Sequence, residues 1–562
     1  MSISRANATL KPIEFALYDV EATGLSHHHD QILQFAGLKV DQDLNIIPGS
    51  ELVIDVKPRA DVVPGPKAFA IHGISIESLL KNGVTEWEAA GRIREWFMGS
   101  SVPSMMMGFN SQGYDDEMVR NAFYRTMIDP YEHEWRNGNT RGDAMRLIML
   151  AFALRPETLR WPISPATGRY TLKLGDLCAE NGIKLEYAHD ARFDVMATLD
   201  LLRLVKKNSP KLFDYFLSLS DKTVASDLVL QRKPLAVINS FFPREQGHLS
   251  IMLPVIMDSV QNKTKMWSID LREDPTELLS LSPSEINRRM FTSINDLGDG
   301  EGITSIRAIA LNKQPLVCGL NIFNQRQDVL QRAGLDIERC LKHAAMIEAD
   351  PGFRERLQEG MKSVFPPCED VYEGIYSLGM FGRDEQNLRS SLRRPVQTEG
   401  LEGLQPKIIS TDPHQLATLN ARDRLRAFDL SLRAKWANHA DQVIALDKYT
   451  PEELSEWVKH LENAWFKENP PKNARNYAMY QAELLEVRAS TALTPDQERA
   501  VKEMEAFVEQ NLAMIESLKE LSAELQNKST SPEVGRTEIG MIESDRKNRE
   551  SRHNVTGLDY QP

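Results

Sequence analysis

The sequence predicts an α/β domain with a mixed sheet, followed by a small β-barrel domain and an α-helical C-terminal region. Three patterns carry this prediction. Strand-like and helical segments alternate over the first 208 residues, short alternating apolar runs fill residues 222–330, and helical stripes with capping boxes follow residue 367. The chain has 562 residues, a length that is expected to divide into several domains.

The α/β prediction rests on strands that lead into turns or helices. Residues 13–19 are apolar or aromatic at most positions and precede a Thr-Gly pair, which is typical of a buried strand entering a turn. Residues 41–45 are expected to form the turn of a hairpin. Residues 104–109 predict another strand, and an apolar helical stripe begins after Asp115.

The later domains are predicted from periodicity and helix caps. Period-2 alternation marks strand-like runs at 235–242, 248–253, 265–271 and 304–311. Capping boxes mark helix starts at Ser282-Pro-Ser-Glu285, Thr450-Pro-Glu-Glu453 and Thr494-Pro-Asp-Gln497. The polar segment 527–562 predicts a disordered tail.

Composition narrows the class of protein. The net charge of −13 argues mildly against nucleic-acid binding, although a basic groove on an acidic protein is enough for it. No run approaches the roughly 20 apolar residues of a membrane span, and the N-terminus has no apolar signal segment, so we expect a soluble cytoplasmic protein. The four widely spaced cysteines are expected to be reduced thiols.

The first functional candidates are Asp19 and Glu21, at the end of the first predicted strand. Residues two apart in an extended chain share a face, so both carboxylates can reach one metal cluster. A bare Asp-x-Glu is also typical of a solvated strand end, and its context decides between the two interpretations.

His189 and Asp194 form a second candidate segment. They lie about 140° apart around a continuous helix, so one helix could not direct both to the same point. They can converge if Asp190 is the N-cap, because His189 then lies on the entering loop and Asp194 in the first turns. Taken alone, the segment favours the other interpretation, in which His189 is a polar residue before a cap and Asp194 a solvated helix acid.

Asp115 follows the strand predicted at 104–109 and begins the next helix. Spacing does not decide whether Asp115 or the adjacent Asp116 faces the other acids. The alternative is a helix start with acids that compensate the helix dipole. The run His27-His-His-Asp30 is interpreted as a turn rather than as a metal site.

Together these segments predict a site for two divalent cations. Hard cations such as Mg²⁺ take carboxylate oxygens and keep open positions that a substrate phosphate can occupy.

The order Asp-x-Glu, Asn-x3-Tyr-Asp and His-x4-Asp resembles the three motifs of the DEDDh superfamily of 3′ to 5′ exonucleases. Further stretches are similar to the bacterial exodeoxyribonuclease I family, most densely over 13–216. They are Gly108-Phe-Asn110, Arg120-Asn-Ala-Phe-Tyr-Arg125, Asp129-Pro-Tyr131, Ala153-Leu-Arg-Pro156 and Leu212-Phe-Asp-Tyr215.

The resemblance implies a fold for each region. A ribonuclease H-like exonuclease domain would occupy 11–208, an SH3-like β domain 209–366 and a helical domain 367–526, ahead of the tail at 527–562.

The resemblance also implies roles for the five candidates. Asp19 would bridge two Mg²⁺ ions, for which Mn²⁺ would substitute. Glu21 and Asp194 would complete one metal site, and Asp115 would support the other, largely through water. His189 would be the general base, and the products would be 5′-mononucleotides.

Substrate contacts are expected from Glu21, Ala22, Thr23 and Lys173. The family commonly has Thr after the motif glutamate, where this chain has Ala22 followed by Thr23. Lys173 replaces an Arg of the family, and Lys keeps the charge but loses the bidentate fork on phosphate.

The leading hypothesis is a Mg²⁺-dependent exonuclease that degrades single-stranded DNA in DNA repair or recombination. The resemblance implies single-stranded DNA and single-stranded DNA-binding protein as partners of a monomeric enzyme. The alternatives are an exoribonuclease, a proofreading exonuclease, or a non-catalytic single-strand-binding scaffold. All five candidate residues are present, which favours catalysis over the scaffold.

Overall fold

The computed structural model describes residues 13–184, 190–258, 264–298, 301–362 and 370–377, several residues between 381 and 393, and 451–529 without 472, 491 and 492. These residues form two compact units. The first contains the described residues up to 57 and from 81 to 393, and the second combines 58–80 with the described residues from 451 onwards.

The α-helices of the described residues are, in chain order, α1 (Pro66–His72), α2 (Ile76–Asn82), α3 (Glu86–Met98), α4 (Asp115–Arg125), α5 (Glu132–Trp135), α6 (Ala144–Leu154), α7 (Leu174–Glu180), α8 (Ala191–Asn208), α9 (Pro210–Ser218), α10 (Lys222–Val229), α11 (Thr276–Ser280), α12 (Pro283–Phe291), α13 (Gln327–Ala333), α14 (Ile337–Glu348), α15 (Phe353–Gly360), α16 (Gly374–Ser377), α17 (Pro451–Phe466), α18 (Tyr477–Ser490) and α19 (Pro495–Ser529).

The first sheet is mixed, as predicted. Its strands are β1 (Glu14–Ala22), β2 (Ile32–Val40), β3 (Leu52–Asp55), β4 (Ser104–Met107) and β5 (Thr140–Arg141), in the order β3-β2-β1-β4-β5. β1 pairs antiparallel with β2 and parallel with β4. The turn predicted at 41–45 is also present, closed by a bridge between Val40 and Ile46.

Alternate side chains of β1 face opposite layers of helices. Phe15 and Leu17 belong to the core that includes residues of α6 and α8, whereas Tyr18 and Val20 pack with residues of α3 and α4. Because side chains alternate along a strand, Asp19 and Glu21 continue the face of Phe15 and Leu17. The two acids are therefore directed to the side of the sheet on which α8 packs.

The second sheet forms the predicted β region. Its strands are β6 (Leu235–Ile238), β7 (Leu249–Met257), β8 (Lys265–Asp270), β9 (Ile306–Ala310) and β10 (Leu316–Cys318), all antiparallel, in the order β10-β6-β7-β8-β9. The predicted capping box at Ser282 is present at the start of α12.

The second unit consists of the segment 58–80 and α17 to α19. The indole of Trp465 donates to the Ala60 carbonyl at 2.8 Å, which ties α17 to that segment. The capping box predicted at Thr494 is confirmed, since Thr494 and Gln497 exchange hydrogen bonds of 3.0 and 3.3 Å. Thr450 and residues 530–562 lie outside the described residues.

Cys178, Cys318 and Cys340 are buried free thiols, and Cys368 lies outside the described residues. In the described part of the chain, no helix combines the length and apolarity needed to cross a bilayer.

Candidate active site

Three carboxylates converge where β1 ends. Oxygen atoms of Asp19, Glu21 and Asp194 lie within 4.8 Å of one another, and all three residues are half-buried. A β-bulge at this point pairs Glu21 with Gln34 but Ala22 with Ile32. Bulges redirect side chains at the ends of strands, and this one lies beside the acids. Asp19, Glu21, Asp194 and the adjacent Asp115 are called the acidic cluster below.

Asp194 reaches the cluster because α8 begins close to β2. Asp190 caps α8 by accepting from the backbone N–H of Arg192 at 3.0 Å, so the predicted helix start is confirmed. The Ala191 N–H donates to the Gln34 side-chain oxygen at 3.3 Å, and the Gln34 amide donates to Asp55 at 3.1 Å. Gln34 therefore links β2 and β3 to the first turn of α8, which contains Asp194.

The structure distinguishes the two adjacent acids at the start of α4. Asp115 Oδ1 accepts from the backbone N–H of Val20, between Asp19 and Glu21, at 3.0 Å. Asp116 is directed elsewhere, since it accepts from the Tyr18 hydroxyl at 2.5 Å and pairs with Arg141 at 2.8 Å. Asp115 therefore lies beside Asp19 and Glu21. It contacts β1 at Val20, beyond Leu17, the last residue of β1 that pairs with β4.

The loop between β4 and α4 is held by Asp143, the N-cap of α6. Its carboxylate accepts from the backbone N–H groups of Asn110, Gln112 and Met145, at 3.0, 3.1 and 2.9 Å. Burial raises the pKa of Asp143 to about 6, against the opposing effect of Arg146. Asp143 was not among the sequence candidates, although a Gly-Asp pair before an apolar helical run is a recognisable cap signal.

Gly108 lies where this loop passes the backbone of β1. A Cβ atom at this position would lie 2.5 Å from the Tyr18 carbonyl oxygen and 2.9 Å from the Ser111 Cβ. We therefore expect Gly108→Ala to lower stability by about 1–3 kcal/mol, the usual cost of overpacking, and to displace the loop that leads to Asp115. Chemical denaturation measures the first effect and nucleotide release the second. The control is Gly302→Ala, where an added Cβ would meet open space, and it should leave both stability and nucleotide release unchanged.

Burial, and after it the crowding of like charges, disfavours the charged form of the acids in the cluster. Burial raises the pKa of Asp19, and Asp115, Glu21 and Asp194 raise it further. Burial and Asp194 likewise raise the pKa of Glu21. The pKa of Asp115 is raised to about 8, again chiefly by burial, despite the hydrogen bond from Val20. A bound cation would relieve this repulsion, so the donor set fits a divalent metal.

Four further residues were predicted to belong to the site. His189 lies outside the described residues. Ala22 is buried, and the Thr23 hydroxyl donates to Asp30 at 2.8 Å while accepting from the Gln31 N–H at 3.0 Å. Lys173 is exposed and lies at the N-terminus of α7. The Thr23 hydroxyl is thus engaged within the turn that follows β1.

The His27–Asp30 run is a turn with separate contacts. His28 Nδ1 lies 3.0 Å from the Asn121 side-chain oxygen, and His29 Nε2 lies 3.1 Å from Glu373. Asp30 accepts from Thr23 and from the Ser26 N–H. The turn predicted at this run is confirmed by the backbone of residues 27–29.

Comparison with known families matches both predicted regions. Residues 17–202 match the family described as exonuclease, and residues 220–365 match the exonuclease I SH3-like domain.

Individual proteins match over most of the chain. Exodeoxyribonuclease I of Escherichia coli strain K12 is 30% identical over 456 residues, which cover 80% of this chain and 92% of that protein. The structure of a moderately thermophilic exonuclease I from Methylocaldum szegediense superposes with a TM-score of 0.77 at 28% identity, covering 89% of this chain and 99% of that one. A zinc-bound complex of E. coli exonuclease I with single-stranded DNA gives a TM-score of 0.73 at 27% identity, with coverages of 89% and 99%.

Proposed function

The chain belongs to the exodeoxyribonuclease I family, and we propose that its acidic cluster removes nucleotides from the 3′ end of single-stranded DNA. This proposal rests on the convergence of Asp19, Glu21 and Asp194, whose oxygen atoms lie within 4.8 Å of one another. Asp115 lies beside them, because it accepts a hydrogen bond from the backbone N–H of Val20. E. coli exonuclease I, whose structure superposes on this chain, has been crystallised with zinc and single-stranded DNA.

The family depends on divalent metals, and we propose Mg²⁺ as the ion, with Mn²⁺ as a substitute. When bound, two such ions would supply activation of the attacking water and stabilisation of the departing 3′ oxygen. Asp19 would contribute to both ions, Glu21 and Asp194 to one of them, and Asp115 to the other, largely through water. The mutual repulsion of these carboxylates supports the binding of cations by the cluster.

His189 is proposed as the general base. It precedes the N-cap Asp190 by one residue, and the helix that follows carries Asp194 into the cluster. An imidazole with an ordinary pKa of about 6.5 can accept the proton of the attacking water near neutral pH.

The substrate contacts are also proposals. Glu21, Ala22 and Thr23 follow one another at the bulge of β1, where a terminal nucleotide would lie. Because the Thr23 hydroxyl is already bonded to Asp30 and Gln31, a sugar hydroxyl would have to compete with these contacts. The exposed Lys173 would attract a phosphate as a point charge.

Further proposals come from family membership. We propose a cytoplasmic monomer that works with single-stranded DNA-binding protein in repair or recombination. The proposed domain limits are 11–208, 209–366 and 367–526.

Divalent cations should bind the acidic cluster more tightly as pH rises. The raised pKa of Asp115, about 8, and the raised pKa values of Asp19 and Glu21 mean that the cluster retains protons near neutral pH, which a cation must displace. Calorimetric titration with Mg²⁺ between pH 6 and 8, in buffers of different ionisation enthalpy, measures affinity and proton release together. A pH-independent affinity without proton release would contradict the proposed ligand set.

The same shifts affect the metal-free fold. A carboxyl group whose pKa is raised in the folded state contributes stability below its unfolded pKa of about 4 and loses it as pH rises through the folded value. As pH rises from about 4 to about 8, the deprotonation of Asp115 should therefore lower the free energy of unfolding of the metal-free protein. Mg²⁺ should restore this stability.

The proposed function is tested with single-stranded DNA and RNA of the same sequence, in Mg²⁺ or in EDTA. We expect Mg²⁺-dependent release of 5′-mononucleotides from DNA, with RNA degraded much more slowly because the pocket must reject a 2′-hydroxyl. Equal degradation of both polymers would favour an exoribonuclease. Binding of single strands by a folded protein that degrades neither would favour the non-catalytic scaffold.

A further inference from the structure

Asp116 lies next to Asp115 in the sequence but belongs to a different network. One of its carboxylate oxygens accepts from the Tyr18 hydroxyl at 2.5 Å, and the other pairs with Arg141 Nη1 at 2.8 Å. Tyr18 immediately precedes Asp19 on β1, and Arg141 ends β5. A single buried carboxylate therefore connects both of these strands to the first turn of α4.

Arg141 is itself held by a second acid. Its Nε lies 3.2 Å from Glu134 Oε2, and Glu134 also accepts from Arg120 Nε at 2.6 Å and from Arg120 Nη2 at 2.8 Å. The side chains of Asp116 and Arg141 are only 3% and 10% exposed. Charged groups at this depth are costly unless paired and hydrogen-bonded, which makes their arrangement geometrically restrictive.

The same network extends along α4 to Tyr376. Arg120 Nη1 bonds Glu117 Oε1 at 2.7 Å and the Tyr376 hydroxyl at 3.0 Å, and Tyr376 also donates to Glu117. Tyr376 lies in α16, in the segment that follows the SH3-like region. The start of α4 is thus fixed by hydrogen bonds to β1, β5 and α16.

We propose that Tyr18 and Arg141 are positioning residues for the acidic cluster, acting through Asp116 to hold Asp115 against the Val20 N–H. The two acids are adjacent in the first turn of one helix, so a rotation of that turn that releases Asp116 also moves Asp115. This inference rests on the proposed function, because it assigns a role within the same site.

The first test uses Tyr18→Phe, which removes one hydroxyl group and keeps the ring between Phe35 and Phe97. We expect kcat to fall about 10-fold and the Mg²⁺ concentration for half-maximal rate to rise, as is typical when a group that orients a metal ligand is lost. KM for the oligonucleotide should stay within about twofold of the wild-type value, because Tyr18 is not among the proposed substrate contacts.

Arg141→Lys supplies the second variant. It keeps the positive charge but cannot reach Asp116 and Glu134 with the same planar group, so we expect a fall in kcat of about 10- to 100-fold. The matched control is Arg59→Lys in the second unit, where Arg59 and Asp61 form a similarly buried pair at 2.7 Å. The control should lower thermal stability without changing the Mg²⁺ dependence.

The outcomes separate the inference from the function on which it rests. If wild-type protein releases no nucleotides from DNA, the proposed function fails. If wild type is active and Tyr18→Phe, folded by circular dichroism, keeps both the wild-type kcat and the wild-type Mg²⁺ dependence, the pair is merely structural and the inference is overturned. A shift of both quantities in the two variants, and not in Arg59→Lys, would support it.

Discussion

Replacing Asp19 with asparagine is expected to abolish nucleotide release while leaving the metal-free fold at least as stable as the wild type. A carboxylate oxygen of Asp19 lies within 4.8 Å of oxygens of Glu21 and Asp194, and Asp115 also raises the pKa of Asp19. Loss of a ligand from a catalytic metal site removes several kcal/mol of transition-state stabilisation, so the rate should fall about 10³-fold or more. A single-turnover assay at saturating DNA measures this effect.

The stability half of this prediction distinguishes a functional acid from a structural one. Burial and four neighbouring carboxylates disfavour the charge on Asp19, and asparagine removes that charge at nearly constant volume. Thermal melting in EDTA should show a midpoint equal to or above that of wild type, and Mg²⁺ should no longer raise it. Asp200→Asn, at a half-exposed acid of the same helix as Asp194, serves as the control. A large loss of stability in EDTA with retained activity would contradict the assignment of Asp19.

Replacing His189 with glutamine is expected to slow catalysis without weakening cation binding. A positioned general base contributes about 10²- to 10⁴-fold to a rate, and the loss should appear in kcat. The acidic limb of the pH–rate profile, expected near the ordinary imidazole pKa of about 6.5, should disappear together with the rate. Calorimetric Mg²⁺ titration should remain close to the wild-type result, because histidine is not among the proposed ligands.

His29→Gln is the matched control for this variant. His29 is a partly buried histidine of the first unit that contacts Glu373 rather than the acidic cluster. The control should retain the wild-type rate and pH profile. If His189→Gln also keeps the rate and the acidic limb, another group accepts the proton.

The sequence predicted the acids through their position at the ends of regular elements. Asp19 and Glu21 share a strand face, and Asp190 caps the helix that carries Asp194, so periodicity and capping rules predicted where both segments lie, while the combination of segments predicted their function. Spacing could not separate Asp115 from Asp116. That choice depends on Tyr18 and Arg141, which are distant from Asp116 in sequence and next to it only after folding.

Other features depended on contacts that no local pattern encodes. The Thr23 hydroxyl is used within its own turn because Asp30 folds back onto it, a contact that the sequence motif does not reveal. Residues 58–80 lie between two segments of the first unit yet pack with the C-terminal helices, as shown by the hydrogen bond between Trp465 and Ala60, which are 405 residues apart in sequence. Hydrophobic periodicity describes an element and does not specify the distant element against which it packs.

The role of the acidic cluster in 3′ to 5′ degradation can be measured with a single-stranded DNA oligonucleotide labelled at either end, using wild type and Asp19→Asn in Mg²⁺. We expect wild type to release a 3′ label at once as a mononucleotide and to shorten a 5′-labelled strand stepwise, whereas Asp19→Asn should do neither. Release of the 5′ label first, internal cleavage, or equal activity of the two proteins would contradict this expectation.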